Sequence, residues 1–168
     1  SGDVPGTAKY IRAILGRKDT IDLSLIRRYL EFLKKYKRPR LAFAEARRFA
    51  AQLLAKGEAD PAIELYEVAI GIERNSETID RLFYALLRAN KRKRAVEVGL
   101  LLRDYLGSDA ELSVAVRVSK NISELDPKNP EVLELEGLIF MRQERNEEAI
   151  VCFDQALGRS EPEDARRS

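Results

Sequence analysis

The sequence predicts an all-α protein of eight to nine helices stacked as antiparallel pairs. Three observations predict it. Apolar residues recur at three- and four-residue spacing almost throughout, and no run of four or more residues alternates as a strand would. Residues that stop or start helices, chiefly Gly, Pro, Asn and Asp, separate those runs by short turns, which forces consecutive helices to lie antiparallel. A helix-pair pattern also repeats. Residues 130–162, PEVLELEGLIFMRQERNEEAIVCFDQALGRSEP, put small residues (Gly137, Ala149, Ala156) where two helices would touch, and a fainter copy occupies 43–75.

Taken in order, residues 7–15 form a short helix ended by Gly16. Asp19 or Thr20 caps a helix over 21–36, with Leu23, Ile26, Leu30 and Leu33 on one face. Pro39 breaks it and suits the first turn of the next, 40–56, which Gly57 ends. Asp60 as cap and Pro61 at the first helical position open a helix through 72. Asn75 or Ser76 caps 76–89, Asn90 marks a turn, and Gly107 closes a helix over 91–106. Ser108 or Asp109 caps 109–124, and Pro127 and Pro130 end that helix and start another. Helices over 131–143 and 147–157 complete the set, with Asn146 as cap and Gly158 as stop. The expected organisation is a tag scar (Ser1-Gly2, without Met) and short helix over 1–20, a repeat domain over 21–158, and a disordered tail over 159–168. The chain reads as one excised module of a larger, bacterial-looking protein.

The repeated positions carry a packing logic. In the last unit they are Leu133, Gly137, Phe140, Ala149, Phe153 and Ala156. At the same offsets from Phe43 stand Ala46, Ala50, Leu53, Gly57, Ala62, Tyr66 and Ala69, and from Ser76 stand Ile79, Phe83, Leu86, Asn90 and Ala95. A small residue in the first helix lets the second approach, and a large one four places after the next small residue fills the gap. This pattern resembles the tetratricopeptide repeat, well over 130–162, fairly over 43–75 and poorly over 76–109, where Phe83 replaces the small residue and Gly99 the large one. The resemblance implies a right-handed superhelical solenoid with a concave face lined by the first helix of each pair. Counting back from 130 in steps of 34 places a unit at 96–129, in conflict with the register starting at Ser76. Either one helix is unpaired or the array changes phase near its middle, and a phase change that bends the superhelix is expected.

Composition bounds the function. The 168 residues are 45% hydrophobic and 35% charged, enough for a core with a well-solvated surface. The net charge of +2 hides a division, since residues 1–94 hold 21 Lys and Arg against 12 Asp and Glu, and residues 95–168 hold 9 against 16. Such an electrical dipole favours weak head-to-tail self-association or attraction to an anionic surface. With no His, the commonest general base and metal ligand is missing, and the nine glycines form no phosphate loop, so no active site, metal or cofactor is expected. The single Cys152 permits no internal disulfide and reads as a buried, inert thiol. A cytoplasmic location is expected, with a periplasmic or membrane-tethered full-length protein as the alternative.

Two classes of candidate residue remain. The groove positions implied by the resemblance include Arg47, Asp80, Tyr84, Arg88, Leu138, Met141 and Arg142, a mixed lining suited to a partner segment with apolar and acidic residues. They lack the Lys and Asn that clamp a terminal carboxylate in one subclass of the family. The basic turns supply Lys34, Lys35, Lys37, Arg38 and Arg40, then Lys91, Arg92, Lys93 and Arg94, which on a shared edge would make an anion-binding stripe. Tyr29, Phe32 and Tyr36, interleaved with the first cluster, read as core by their spacing with Leu33. The expectation is a non-catalytic scaffold that binds a protein or peptide partner in its groove and takes no small-molecule substrate. The alternatives are an anion-binding surface for nucleic acid, membrane or acidic polymer, and a targeting module of polysaccharide-assembly machinery.

Overall fold

The computed structural model describes residues 4–17 and 22–160. Nine α-helices and no strand occur among them: α1 (Val4–Arg17), α2 (Leu23–Lys35), α3 (Pro39–Ala55), α4 (Ala59–Ile72), α5 (Ser76–Arg88), α6 (Arg92–Gly99), α7 (Asp109–Leu125), α8 (Pro130–Arg142) and α9 (Asn146–Ser160). A 3-10 segment, Leu100–Asp104, continues α6. The chain divides into two compact units, Ser1–Arg74 and Asn75–Ser168.

The helices start where side chains can satisfy their orphan N–H groups. Asp22 caps α2 by accepting from Leu25 N, Asn75 caps α5 from Thr78 N, and Ser108 caps α7 in a reciprocal box with Glu111. The expected caps Asp19 and Thr20 lie outside the described residues. Asp60 is not the cap of α4, which begins one residue earlier with Asp60 in its first turn, where its charge complements the helix dipole. Three expected glycine stops also fail: α1 runs past Gly16 to Arg17, α9 runs past Gly158 to Ser160, and the segment expected to close at Gly107 ends at Asp104.

Four hairpin turns share one backbone design. Each spans three residues, and the second takes a left-handed conformation: Lys37 (φ 53), Gly57 (φ 85), Asn90 (φ 57) and Glu144 (φ 61). In each, the following N–H reaches back five residues, Arg38 to Leu33 O, Glu58 to Leu53 O, Lys91 to Leu86 O and Arg145 to Phe140 O, all at 2.9 Å. This arrangement satisfies the last carbonyls of one helix and reverses the chain into the next. Because it precedes both α3 and α4, α3 is the second helix of one hairpin and the first of another.

In the first unit α3 packs against α2 and, more extensively, against α4. The small positions expected at this contact, Ala50 and Ala62, are fully buried, as are the repeat positions Ala46 and Ala69. In the second unit α5 pairs with α6, and α8 with α9. Gly137 explains how α8 and α9 come together. A Cβ there would stand 2.8 Å from the Phe153 ring, so the ring occupies the space that a side chain would take.

In the α5–α6 pair the large and small residues stand on the opposite helices. Phe83 is fully buried in α5, and a Cβ on Gly99 would lie 3.0 Å from both Val118 and Ile122 and 3.6 Å from Phe83. Phe83 and Gly99 stand at the repeat offsets of Gly137 and Phe153. The tight neighbours of Gly99 thus belong to α7, and the small residue at this position admits that helix while Phe83 keeps ordinary contact with it. The register conflict resolves against the expected phase change: α6 is the second helix of the pair begun by α5. A single helix, α7, then stands between the two hairpins, touching α5, α6 and α8.

Candidate interaction surface

Within the second unit, α5, α7 and α8 present the residues closest to the expected groove. Asp80 on α5 accepts from Arg117 of α7 at 2.7 Å, and the Arg117 guanidinium lies 5.7 Å from the Tyr84 ring centre. Asp80 is half-buried, and its other oxygen, Oδ1, is shielded from solvent without a hydrogen bond. Burial pushes its carboxyl above the usual range, against the opposing pull of Arg117. Asp80 and Tyr84 thus meet a side chain from α7, the helix for which the repeat register provides no place. Arg88, at the end of α5, is exposed.

On α8, Met141 is 53% exposed and Leu138 half-buried. Arg142 is bound internally: its Nε and Nη2 donate to Leu106 O and Gly107 O, both at 2.9 Å, closing the turn before α7. In the first unit, the Arg47 guanidinium lies 5.2 Å from the Phe43 ring centre. Asp80 and Arg142 therefore have internal partners, and Arg88 and Met141 are exposed.

Sequence reasoning missed the part contributed by α7. A cleft of about 350 Å³ between α7 and α8 is lined on one side by Val116, Ser119, Lys120, Ser123 and Glu124. Its other side is Glu136, Ile139, Phe140, Gln143 and Arg145. Val116 is 39% exposed at its edge. Three apolar side chains flanked by charges of both signs make a lining suited to an amphipathic segment. The signal was present in the sequence as Val116 beside Arg117 and Lys120, but only the position of α7 between two hairpins gives it meaning.

The basic residues are all exposed: Lys34, Lys35, Lys37, Arg38 and Arg40 in the first unit, Lys91, Arg92, Lys93 and Arg94 in the second. Arg94 pairs with Glu97 at 3.0 Å, and Arg92 Nε donates to Asn90 Oδ1 at 3.2 Å. Of the interleaved aromatics, Tyr29 is buried and Phe32 half-buried as expected. Tyr36 is 41% exposed and so is not core: it ends α2 and turns outward, its ring centre 4.6 Å from that of Phe32.

The first unit also holds a buried carboxylate. Glu45 is 1% exposed and is paired with Arg12 of α1 and, at 2.9 Å, with Arg48. Two half-exposed cations on one buried acid fasten α1 to α3, an arrangement that structure alone accounts for. Cys152 is buried, and burial, with smaller contributions from Glu136 and Glu148, pushes its thiol above the ordinary value. Among the described residues no group of His, Cys, Asp and Glu could hold a metal ion, and no helix is long and apolar enough to cross a membrane.

No family model matches the chain, and no curated protein matches it. Thirteen chains of solved structures do. One, described as "MamA RS-1 ArsTM double mutant", is 16% identical, with 94% of this chain and 95% of that chain covered and a TM-score of 0.41. The helical-repeat assignment rests on the four shared turns and the small–large contacts between paired helices.

Proposed function

We propose that this chain is a non-catalytic, tetratricopeptide-like scaffold module that binds a segment of another protein. The observation that carries the reading is accessible apolar surface in the second unit, Met141 on α8 and Val116 at the edge of the α7–α8 cleft, which Lys120 also lines. Apolar side chains kept in water beside fixed charges give a partner both an anchor and an orientation. The deep, water-excluded arrangement of titrating groups that chemistry requires has no counterpart in this surface. The partner segment that fits is amphipathic, with apolar and acidic residues.

Replacing Tyr84 and Arg88 by Ala, and separately Met141 by Arg, tests the reading. Affinity for the protein that co-purifies with the full-length chain should fall for these variants. Unchanged affinity in both would remove this face from consideration.

A further inference from the structure

The four equivalent turns differ in charge in a way their shared backbone does not require. After two of them the helix opens with acids, Asp60 in α4 and Glu147 and Glu148 in α9, as the positive end of a helix dipole favours. After the α5–α6 turn it opens with Lys91, Arg92, Lys93 and Arg94. There is no acid in the first turn of α6 and no side chain capping its first N–H groups. Cations at that end work against the dipole, so the turn carries them at a cost in stability.

Behind this turn lies a cleft of about 460 Å³. Its apolar lining is Val96, Leu100 and Leu125, and Arg92 and Lys93 form part of its rim. The other charges around it have partners. Arg94 is paired with Glu97 at 3.0 Å, Arg103 with Glu131 at 2.6 Å, and Asp126 accepts from Asn129 Nδ2 at 3.0 Å. Among the described residues no carboxylate pairs with Arg92 or Lys93. The cleft therefore has an apolar floor, one uncompensated cationic edge, and elsewhere on its rim charges that already have partners.

We propose that the α5–α6 turn and the cleft behind it bind an acidic peptide segment through an apolar anchor, seated on Val96, Leu100 and Leu125, with carboxylates beside the anchor held by Arg92 and Lys93. This rests on the reading of the chain as a protein-binding module and adds a second contact to it, built from residues other than Tyr84, Arg88 and Met141. The uncompensated charge fixes the direction of the segment, because its acids gain a partner only at the Arg92–Lys93 edge. A purely electrostatic polyanion site would make no use of the apolar floor.

The test uses a dye-labelled acidic peptide with Leu-Phe at its centre, the same peptide with Ser-Ser there, and a short single-stranded oligonucleotide, each titrated by fluorescence anisotropy. The Leu-Phe peptide should bind about tenfold more tightly than the Ser-Ser peptide. The double substitution R92E/K93E should weaken its binding about tenfold or more, while leaving the melting temperature unchanged or higher, since acids now meet the helix dipole. Equal binding of the two peptides, or binding of the oligonucleotide alone, would make the turn a polyanion surface and overturn the proposal. So would an unaffected R92E/K93E variant, or no saturable binding of the Leu-Phe peptide. Any of these results would leave the Tyr84–Arg88–Met141 test standing, and loss of that face would leave this one standing.

Discussion

Substituting Gly137 by Ala probes the contact that defines the α8–α9 pair. In a helix interior the change gains about 1 kcal/mol, because Ala loses less backbone freedom on folding than Gly. Here the new Cβ would stand 2.8 Å from two atoms of the Phe153 ring, closer than real Cβ contacts allow, and 3.1 Å from a third. The ring must move, and overpacking of this kind costs about 1 to 3 kcal/mol. The two terms leave a net loss of about 0 to 2 kcal/mol. Shortening the opposing side chain by Phe153→Leu removes the obstruction, so that Gly137→Ala in that background should stabilise by up to about 1 kcal/mol. The sign of the substitution therefore reverses with the residue at 153, and urea unfolding of the wild type, both single variants and the double variant should give a coupling of about 1 to 3 kcal/mol. Additive effects within about 0.5 kcal/mol would refute the argument that the ring fills the space Gly137 leaves.

Three further expectations follow from the same geometry. Burial raises the Asp80 carboxyl above its unfolded value, so the folded state holds the proton more tightly and stability falls as pH rises from about 4 through the raised value. Unfolding of Asp80→Asn should lack this part of the slope, and an identical slope would dismiss it. At the left-handed turn positions, Glu144→Gly should stabilise by about 0.5 to 1 kcal/mol in thermal or urea unfolding. Gly57→Ala should cost about 1 to 2 kcal/mol even though a Cβ there meets nothing within 4 Å, because the cost is conformational. Cys152 should react with a thiol reagent at neutral pH only under unfolding conditions, and rapid labelling of the native protein would contradict its burial and raised thiol.

The parts of the fold legible in the sequence are those in which one residue type has one physical use. Alanines at the contacts between paired helices, Asn75 and Ser108 as caps, and Gly57 and Asn90 at left-handed turns belong to this class. Lys37 and Glu144 adopt the same turn conformation but have no residue type that advertises it, so the breaks at these two turns are legible while their left-handed geometry is not. Gly99 resembled a lapse in the pattern because the residues that need it small, Val118 and Ile122, belong to α7, outside the repeat offsets. The position of α7 could not be read because its own periodicity is ordinary. What distinguishes it is that both neighbouring hairpins are already complete. The same helix explains why the groove was read incompletely: Arg117 reaches Asp80 and Tyr84 from outside the repeat register, and Val116 opens a cleft that no repeat offset marks.

The central claim is that the exposed face of the second unit receives a protein partner. Site-specific photo-cross-linking in the full-length protein tests it most directly, with the reactive group placed at position 141 on α8 and, as a control, at the exposed position 67 on α4. The account predicts a discrete cross-linked protein from position 141 that is absent from position 67 and lost when Tyr84 and Arg88 are replaced by Ala. Cross-linking of equal yield and pattern from both positions, or none from 141, would contradict it.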